Sequence, residues 1–508
     1  MVLPKQVYGD LLAGVSLANL CFLDTWVEVL GSDARSGYLS NISASDCVAA
    51  MVMVAAVGFA AGAAIHVMRA SAGPRAAPLK GMFLTCLFFA ILIPLNSLRV
   101  RYDVLRLPNV LSWAKSASLP LQAAAVLLVA IVAFALIRQR HRMFAFATNV
   151  LLAASPFILV TFGRSAWAAL TYSERVIEPL SAADVPVFKS HSGRVVIMVF
   201  DELDERLAFN ERPRDLALPE LDRLRQEALF ADSAYSPGPG TLQSMPGLIV
   251  GRQVAYAAPS GPNELLLSFV GGRDTVQWST QPNMFTRARG LGLNTAIAGW
   301  YHPYCRVLRS ALTRCFAQPY VGVMSGQGGR TLGRALIERL VSISPWDLRR
   351  EHLEAYNNIM TQALKAVADS SLGLVLLHLP VPHLPPIYDR RTGSFTVRRH
   401  GYDVYFDNLA LADRTLGELR RAMEANGTWT MSSVLVTSDH SWRASGDFDG
   451  KHDPRIPFIV KLSGRADTLT FTKPVYTTVA SDLVVTLLKG TRLTVTDLAR
   501  WLTARLGH

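Results

Sequence analysis

The pattern of apolar positions changes character near residue 165. Before that point, apolar windows of about twenty residues, the length that spans a bilayer, recur at Leu11–Leu30, Val48–Met68, Met82–Leu98, Leu119–Ile137 and Met143–Phe162. They predict a helical membrane domain of five spans over residues 1–163. From Arg194 the apolar runs shorten to strand length, at Val195–Phe200, Asn294–Ala298, Leu372–Leu377, Ser433–Thr437 and Pro457–Lys461. Helical periodicity lies between them, over Pro219–Phe230, Arg350–Asp369 and Tyr402–Ala425. Continuous apolar strands alternating with helices predict an α/β domain over 194–508, with a mostly parallel sheet covered by helices. Residues 164–193 are amphipathic, with Trp167, Leu170, Tyr172, Val176 and Leu180 among Arg164, Ser173, Glu174 and Arg175. That stretch reads as an interfacial linker lying on a membrane.

Composition agrees with two regions, since 508 residues exceed the usual size of one domain. The net charge of +12 comes without a basic-aromatic recognition motif. It argues for a membrane surface as partner and against nucleic acid. The first apolar run contains Asp24 and Glu28 and is followed at once by more spans, so it reads as an anchor and not a cleaved signal. These two acids sit four apart on one helix face, where they either meet a lipid headgroup or pair with another helix. Arg69, Arg75 and Lys80 in one short loop and Arg138, Arg140 and Arg142 in another place both loops in the cytoplasm, although Arg99, Arg101, Arg106 and Lys115 oppose that orientation. An odd number of spans then puts the α/β domain outside. Cys305 and Cys315 would share that oxidising space, where they either pair or remain two separate thiols.

Polar residues gather where the apolar strands end. Val195–Phe200 leads into Asp201 and Glu202, Ser433–Thr437 into Asp439 and His440, and Leu372–Leu377 into His378, with His383 a short loop later. In sheets of this kind ligands bind beyond the carboxyl ends of the strands. Carboxylates and imidazoles together there suit a zinc or manganese ion. The stretch GPGTLQSMPGLIVG places Thr241 near the start of an apolar helix expected from about Met245 to Val250. Backbone N–H groups at such a start favour an anion. Thr at a helix start is also an ordinary cap.

Several ordered motifs resemble the alkaline phosphatase superfamily in its sulfatase-like branch. RVVIMVFDEL looks like its first strand and acidic ligands, GTLQSMPGLIVGR like its nucleophile segment, and GLNTAIAGWYH like its second signature. HLPVPHLPPIY looks like its histidine loop and VLVTSDHSWR like its late metal motif. Two departures narrow the resemblance. Thr241-Leu242-Gln243-Ser244-Met245 lacks the Cys or Ser that sulfatases convert to formylglycine, and Trp300 stands where they place a Lys. A Thr in that position behind membrane spans is most similar to the membrane-anchored phosphoethanolamine and phosphoglycerol transferases, including lipoteichoic acid synthases.

That resemblance implies Glu202, Thr241, Asp439 and His440 as metal ligands with Asp201 as an extra one, Thr241 as nucleophile, and His383 and His452 as substrate-side groups. It implies a catalytic domain at 194–508, facing the periplasm or exterior from a bacterial cytoplasmic membrane. The expected reaction moves a phosphoethanolamine or phosphoglycerol group from a phospholipid donor to an envelope glycan or lipid acceptor. Alternatives are a membrane-anchored phosphodiesterase, phosphatase or sulfatase-like hydrolase using water, and a non-catalytic envelope binding protein.

Overall fold

A computed structural model describes residues 4–30, 38–39, 44–70, 90, 118, 120–124, 127, 131, 134, 140–171, 193–261, 263–319, 345–397 and 404–506. The chain forms two compact units. One comprises Met1–Ser32, Ile42–Arg175 and Gly328–Val341, the other Asp33–Asn41, Val176–Gln327 and Ser342–His508.

The first unit is helical, with Lys5–Cys21, Leu23–Leu30, Ala44–Ala70, Arg140–Ala153 and Pro156–Thr171. Among the described residues, Ala44–Ala70 alone is a continuous helix long and apolar enough to cross a bilayer, and a bent pair over Ala145–Ala153 and Pro156–Thr171 supplies a second candidate. The five expected spans are therefore reduced to one or two here. The first expected span is split where Phe22 leaves helical geometry (φ −94°, ψ 27°). The last bends by 43° ahead of Pro156, whose ring cannot donate the N–H a continuous helix needs. The expected spans at 82–98 and 119–137 fall largely outside the described residues, as do the side chains of Asp24 and Glu28 and the linker beyond residue 171.

Lys5–Cys21 and Ala44–Ala70 pack through glycines. A Cβ on Gly14 would run into the backbone of Gly58 and Gly62, and one on Gly62 would lie 2.6 Å from Leu11 Cα. Close backbone approach of this kind is what small residues allow between apolar helices.

The second unit is built on strands β1 (Val195–Asp201), β2 (Leu229–Tyr235), β3 (Val254–Pro259), β4 (Leu265–Phe269), β5 (Thr275–Gln277), β6 (Asn294–Tyr301) and β7 (Arg314–Pro319). It continues with β8 (Leu372–Pro382), β9 (Tyr388–Asp389), β10 (Ser394–Phe395), β11 (Ser433–Ser438), β12 (Arg455–Lys461), β13 (Leu469–Phe471) and β14 (Val475–Tyr476). The main sheet runs β13-β2-β12-β11-β1-β8-β6-β7, with β14 also on β2. The block β11-β1-β8-β6-β7 is parallel, and β12 is antiparallel to both of its neighbours.

Both faces of β1 are buried, which accounts for its unbroken apolar run. Val195, Ile197 and Val199 pack with Met245, Leu248, Ile249, Leu483 and Val484 on one side. Val196, Met198 and Phe200 pack with Leu221, Ile359, Ala363, Leu409 and Leu416 on the other. Helices therefore cover both faces, as continuous apolar strands require.

Three expectations shift. The helix expected over Pro219–Phe230 stops at Gln226, because Leu229 and Phe230 belong to β2 and pair with β12. Strand β8 continues past Leu377 to Pro382, carried by pairing of Asp201 with Pro382 beyond a register shift, so His378 lies within the strand. The helix expected from Met245 starts at Thr241, with extended Gly240 as its N-cap. Cys305 and Cys315 form a disulfide, with Cα atoms 5.6 Å apart.

Candidate active site

Adjacent parallel strands β1 and β11 deliver the acidic residues side by side. Ser438, the last residue of β11, ties the two strand ends together: its hydroxyl accepts the Leu203 N–H at 2.9 Å and lies 2.7 Å from the Phe200 and His440 carbonyls. Glu202 turns the chain sharply with φ 65°, an uncommon conformation for a residue with a side chain. The turn is held by its own N–H, which donates to Asp439 Oδ1 at 3.2 Å, and by Tyr405 O–H, which donates to the Glu202 carbonyl at 2.8 Å. Such strain persists where the surroundings over-determine it, and functional sites collect it.

Thr241 is the first residue of its helix and is buried. Its hydroxyl donates to Asp439 Oδ2 at 2.7 Å and lies 3.3 Å from His440 Nε2. Ser244 turns back on the helix, donating to the Gly240 carbonyl at 3.0 Å, and so contributes no free hydroxyl to the cavity.

The imidazoles have determined orientations. His440 Nδ1 lies 2.9 Å from the Ser441 carbonyl, and His378 Nδ1 lies 3.1 Å from the Trp300 carbonyl. A carbonyl accepts only, so His440 donates from Nδ1, while His378 Nδ1 lies between the Trp300 carbonyl and the Tyr304 hydroxyl, 2.9 Å away, which can donate or accept. Both Nε2 atoms lie near Asp201: His440 Nε2 is 3.8 Å from Oδ1 and 3.4 Å from Asp439 Oδ2, and His378 Nε2 is 3.9 Å from Asp201 Oδ2. Neither Asp201 oxygen nor His378 Nε2 has a well-formed hydrogen bond, although all are buried. Carboxylate oxygens crowded together out of water repel unless a proton or a cation lies among them. Donor atoms of Asp201, His378 and Asp439 lie within 4.8 Å of one another. Imidazoles oriented by carbonyls through Nδ1 are the usual support of metal ligands. The residues therefore fit a divalent ion.

The electrostatics agree. Burial raises the Asp201 carboxyl well above its ordinary range, and the adjacent Asp439 and Glu202 add to this. Burial alone would raise Asp439 as well, but His440 and the bond from Thr241 hold it below its ordinary value. Burial lowers His378 to about 4 and keeps His383 below its usual value, so both rings are neutral near pH 7.

These groups open on a cavity of about 660 Å³ bordered by Asp201, Thr241, Tyr301, His383 and Arg443, with the β3 edge from Tyr256 to Pro259 opposite. Glu202 lies beside the cluster, its carboxylate 3.3 Å from Arg443 Nε. Of the expected site residues, Asp201, Thr241, Asp439 and His440 are brought together, while Glu202 and His383 are at the edge. His452 is exposed, 3.4 Å from Ser445 Oγ, and does not border the cavity. Residues that sequence reasoning passed over are Arg443, Tyr301, His302, Tyr38 and Leu39. Arg443 stood in plain view inside VLVTSDHSWR, four residues past Asp439; nothing local marked Tyr38 or Leu39.

Buried carboxylates and imidazoles thus meet at the ends of parallel strands β1 and β11, beside a buried hydroxyl at a helix start. The family model described as Sulfatase matches residues 194–491, more than half of the chain, and the chain belongs to that family. Its members hydrolyse sulfate or phosphate esters with the help of a divalent metal. No curated protein matches the chain.

Solved structures similar to it include a phosphonate monoester hydrolase from Silicibacter pomeroyi, 15% identical over 58% of this chain and 73% of that one, with TM-score 0.37. A sulfatase from Pseudoalteromonas sp. is 15% identical over 58% and 68%, with TM-score 0.39. A protein in the alkaline phosphatase superfamily from Vibrio parahaemolyticus is 14% identical over 60% and 68%, with TM-score 0.38.

Proposed function

We propose that the chain is a metal-dependent phospho-group transferase that moves a phosphoethanolamine or phosphoglycerol group from a phospholipid to an envelope glycan or lipid. The observation that carries this reading is the Thr241 hydroxyl, buried at a helix start and bonded to Asp439 beside His440, where formylglycine chemistry has no Cys or Ser to use. A zinc or manganese ion would be held by Asp201, Asp439, His440 and Thr241, with His378 and Glu202 beside them. Asp201 takes the leading place, because it faces Asp439 and no cation of the chain pairs with it among the described residues, whereas Glu202 faces Arg443. When bound, the ion lowers the pKa of the Thr241 hydroxyl and neutralises charge on the phosphoryl oxygens.

The chain's own residues account for the rest. Thr241 Oγ1 forms a bond to phosphorus as the bond to the diacylglycerol oxygen breaks, and the proton lost by Thr241 ends on that oxygen. Arg443, at the cavity edge, pairs with a non-bridging phosphoryl oxygen. His383, kept neutral by burial, takes the proton from the acceptor hydroxyl as that oxygen displaces Thr241, which recovers a proton. The apolar helices hold the enzyme at the membrane that supplies its donor. A domain facing the periplasm or exterior accords with the Cys305–Cys315 disulfide.

Hydrolysis, with water as acceptor, is the second reading, and the hydrolytic chemistry of the family favours it. Purified full-length protein is incubated with headgroup-labelled phosphatidylethanolamine or phosphatidylglycerol, with and without chelator. Transfer predicts diacylglycerol, label on the peptide containing Thr241, and loss of both with chelator or in Thr241→Ala. Wild-type turnover in Thr241→Ala ends the covalent reading, and turnover unaffected by chelator ends the metal-dependent one.

A further inference from the structure

Tyr38 and Leu39 lie in sequence between the helices Leu23–Leu30 and Ala44–Ala70, yet they belong to the α/β unit. Tyr38 is 1% exposed and packs in the same core cluster as Val195, Ile197 and Val199 of β1. Its hydroxyl lies 2.8 Å from His302 Nδ1, and His302 Nε2 lies 2.9 Å from the main-chain carbonyl of Thr241. The protons along this chain are determined. The Thr241 carbonyl accepts only, so His302 Nε2 carries the hydrogen, Nδ1 presents its lone pair, and the Tyr38 hydroxyl is the donor.

Both ends of the connection are held. Arg306 Nη2 donates to the Tyr38 carbonyl at 2.9 Å. The His302 ring is clasped by Trp278 at 5.1 Å and Tyr304 at 5.5 Å between ring centroids. Leu39, next along, borders the same cavity as Thr241.

We infer that Tyr38 is a positioning residue for the reaction at Thr241: through His302 it fixes the peptide that carries the nucleophilic hydroxyl, while Leu39 forms part of the cavity wall. The inference rests on the reading of Thr241 as nucleophile. A segment lying between two apolar helices in sequence is thus a working part of the site, and a fragment beginning near residue 194 lacks it.

The test uses full-length protein. Tyr38→Phe keeps the ring and removes the donor, so metal content should stay at the wild-type value while the orphaned His302 Nδ1 lowers the thermal midpoint slightly. Turnover should fall about tenfold with KM little changed, the size expected when a partner that orients a reacting group is lost. In protein labelled with 15N at histidine, the Nδ1 resonance of His302 should shift, because its lone pair no longer accepts a hydrogen bond. His302→Gln can still donate an amide N–H towards Thr241, and adding Tyr38→Phe to it should cost nothing further. Wild-type turnover in Tyr38→Phe with an unmoved His302 resonance overturns the inference. So do losses that simply multiply in the double variant, since Tyr38 would then act independently of His302. If Thr241→Ala keeps wild-type turnover, the nucleophile reading fails instead, and the 15N shift still reports separately whether Tyr38 holds His302.

Discussion

Each unit of the molecule buries an acid, and the two acids are treated in opposite ways. In the helical unit, Asp10 is fully buried and its carboxylate is met by Arg69 Nη1 at 2.9 Å and His66 Nδ1 at 3.0 Å, both from Ala44–Ala70. The glycines at 14, 58 and 62 let the two helices come close enough for that contact. In the α/β unit, Asp201 is 1% exposed, and it faces Asp439 with the Nε2 atoms of His378 and His440 3.9 and 3.8 Å away. A charge removed from water must be compensated. Asp10 is compensated by Arg69 and the His66 ring and so holds helices together. Asp201 is surrounded by groups that share its need, which is the signature of a site that binds a cation. Burial of an acid says little by itself; what its neighbours can donate decides its role.

The comparison is most easily broken at Asp201. Asp201→Asn should lose most bound metal, measured by elemental analysis, and at least about 100-fold in turnover, comparable to losing a key electrostatic group in an active site. The metal-free protein should be no less stable than wild type, because a carboxyl crowded by Asp439 and Glu202 has gone. Full metal occupancy in this variant would sink the contrast. Asp10→Asn should do the reverse. The amide that replaces the buried carboxylate matches Arg69 and His66 less well, which should lower the thermal midpoint with metal content unchanged.

Glu205 sharpens the contrast as a case between the two. Its buried carboxylate accepts two hydrogen bonds from Asn210 Nδ2 at 2.9 Å and lies 3.9 Å from Arg455 Nη2. That compensation falls short of the desolvation, and burial pushes the group up to about 7 from 4.5. A folded-state value above the unfolded one means that the folded protein holds the proton more tightly. The stabilisation is complete below pH 4.5 and is lost as pH rises through 7. Denaturant unfolding should show a fall on the order of 2–3 kcal/mol over that window. Glu205→Gln should flatten the profile; an unchanged profile would remove Glu205 as its cause.

The smallest effect is expected at His452, which resemblance placed on the substrate side. Exposed and bonded weakly to Ser445, it should change turnover by less than about threefold when replaced by Ala, with stability moved by no more than about 0.5 kcal/mol. A loss of the size seen at Asp201 would return it to the site.

Much of the α/β unit was legible because its causes are local. A strand buried on both faces has to be apolar throughout, so β1, β6, β8 and β11 announced themselves, and polar residues following such strands marked the ligand end of the sheet. Asp201, Asp439 and His440 were singled out on that basis, and Thr241 by its place at a helix start and by resemblance. The short antiparallel strands β3 to β5 were not, since half-exposed strands with mixed residues carry weak periodicity. Helix breaks were also poorly legible: an apolar window reports length and composition, whereas the bend at Pro156 and the turn at Phe22 depend on which backbone N–H groups find acceptors.

By itself, then, the sequence determined the apolar character of the N-terminal region, the alternation that builds a parallel sheet, and the chemical types at its strand ends. These follow from periodicity and side-chain chemistry, which are properties of neighbours along the chain. Tertiary structure alone decided that Glu202 faces Arg443 while Asp201 faces Asp439, that His378 Nε2 lies beside Asp201, and that Tyr38 reaches Thr241 through His302. Each of these depends on which donor meets which acceptor across some 60 to more than 260 positions of sequence, and hydrogen-bond direction is settled only when both partners are in place.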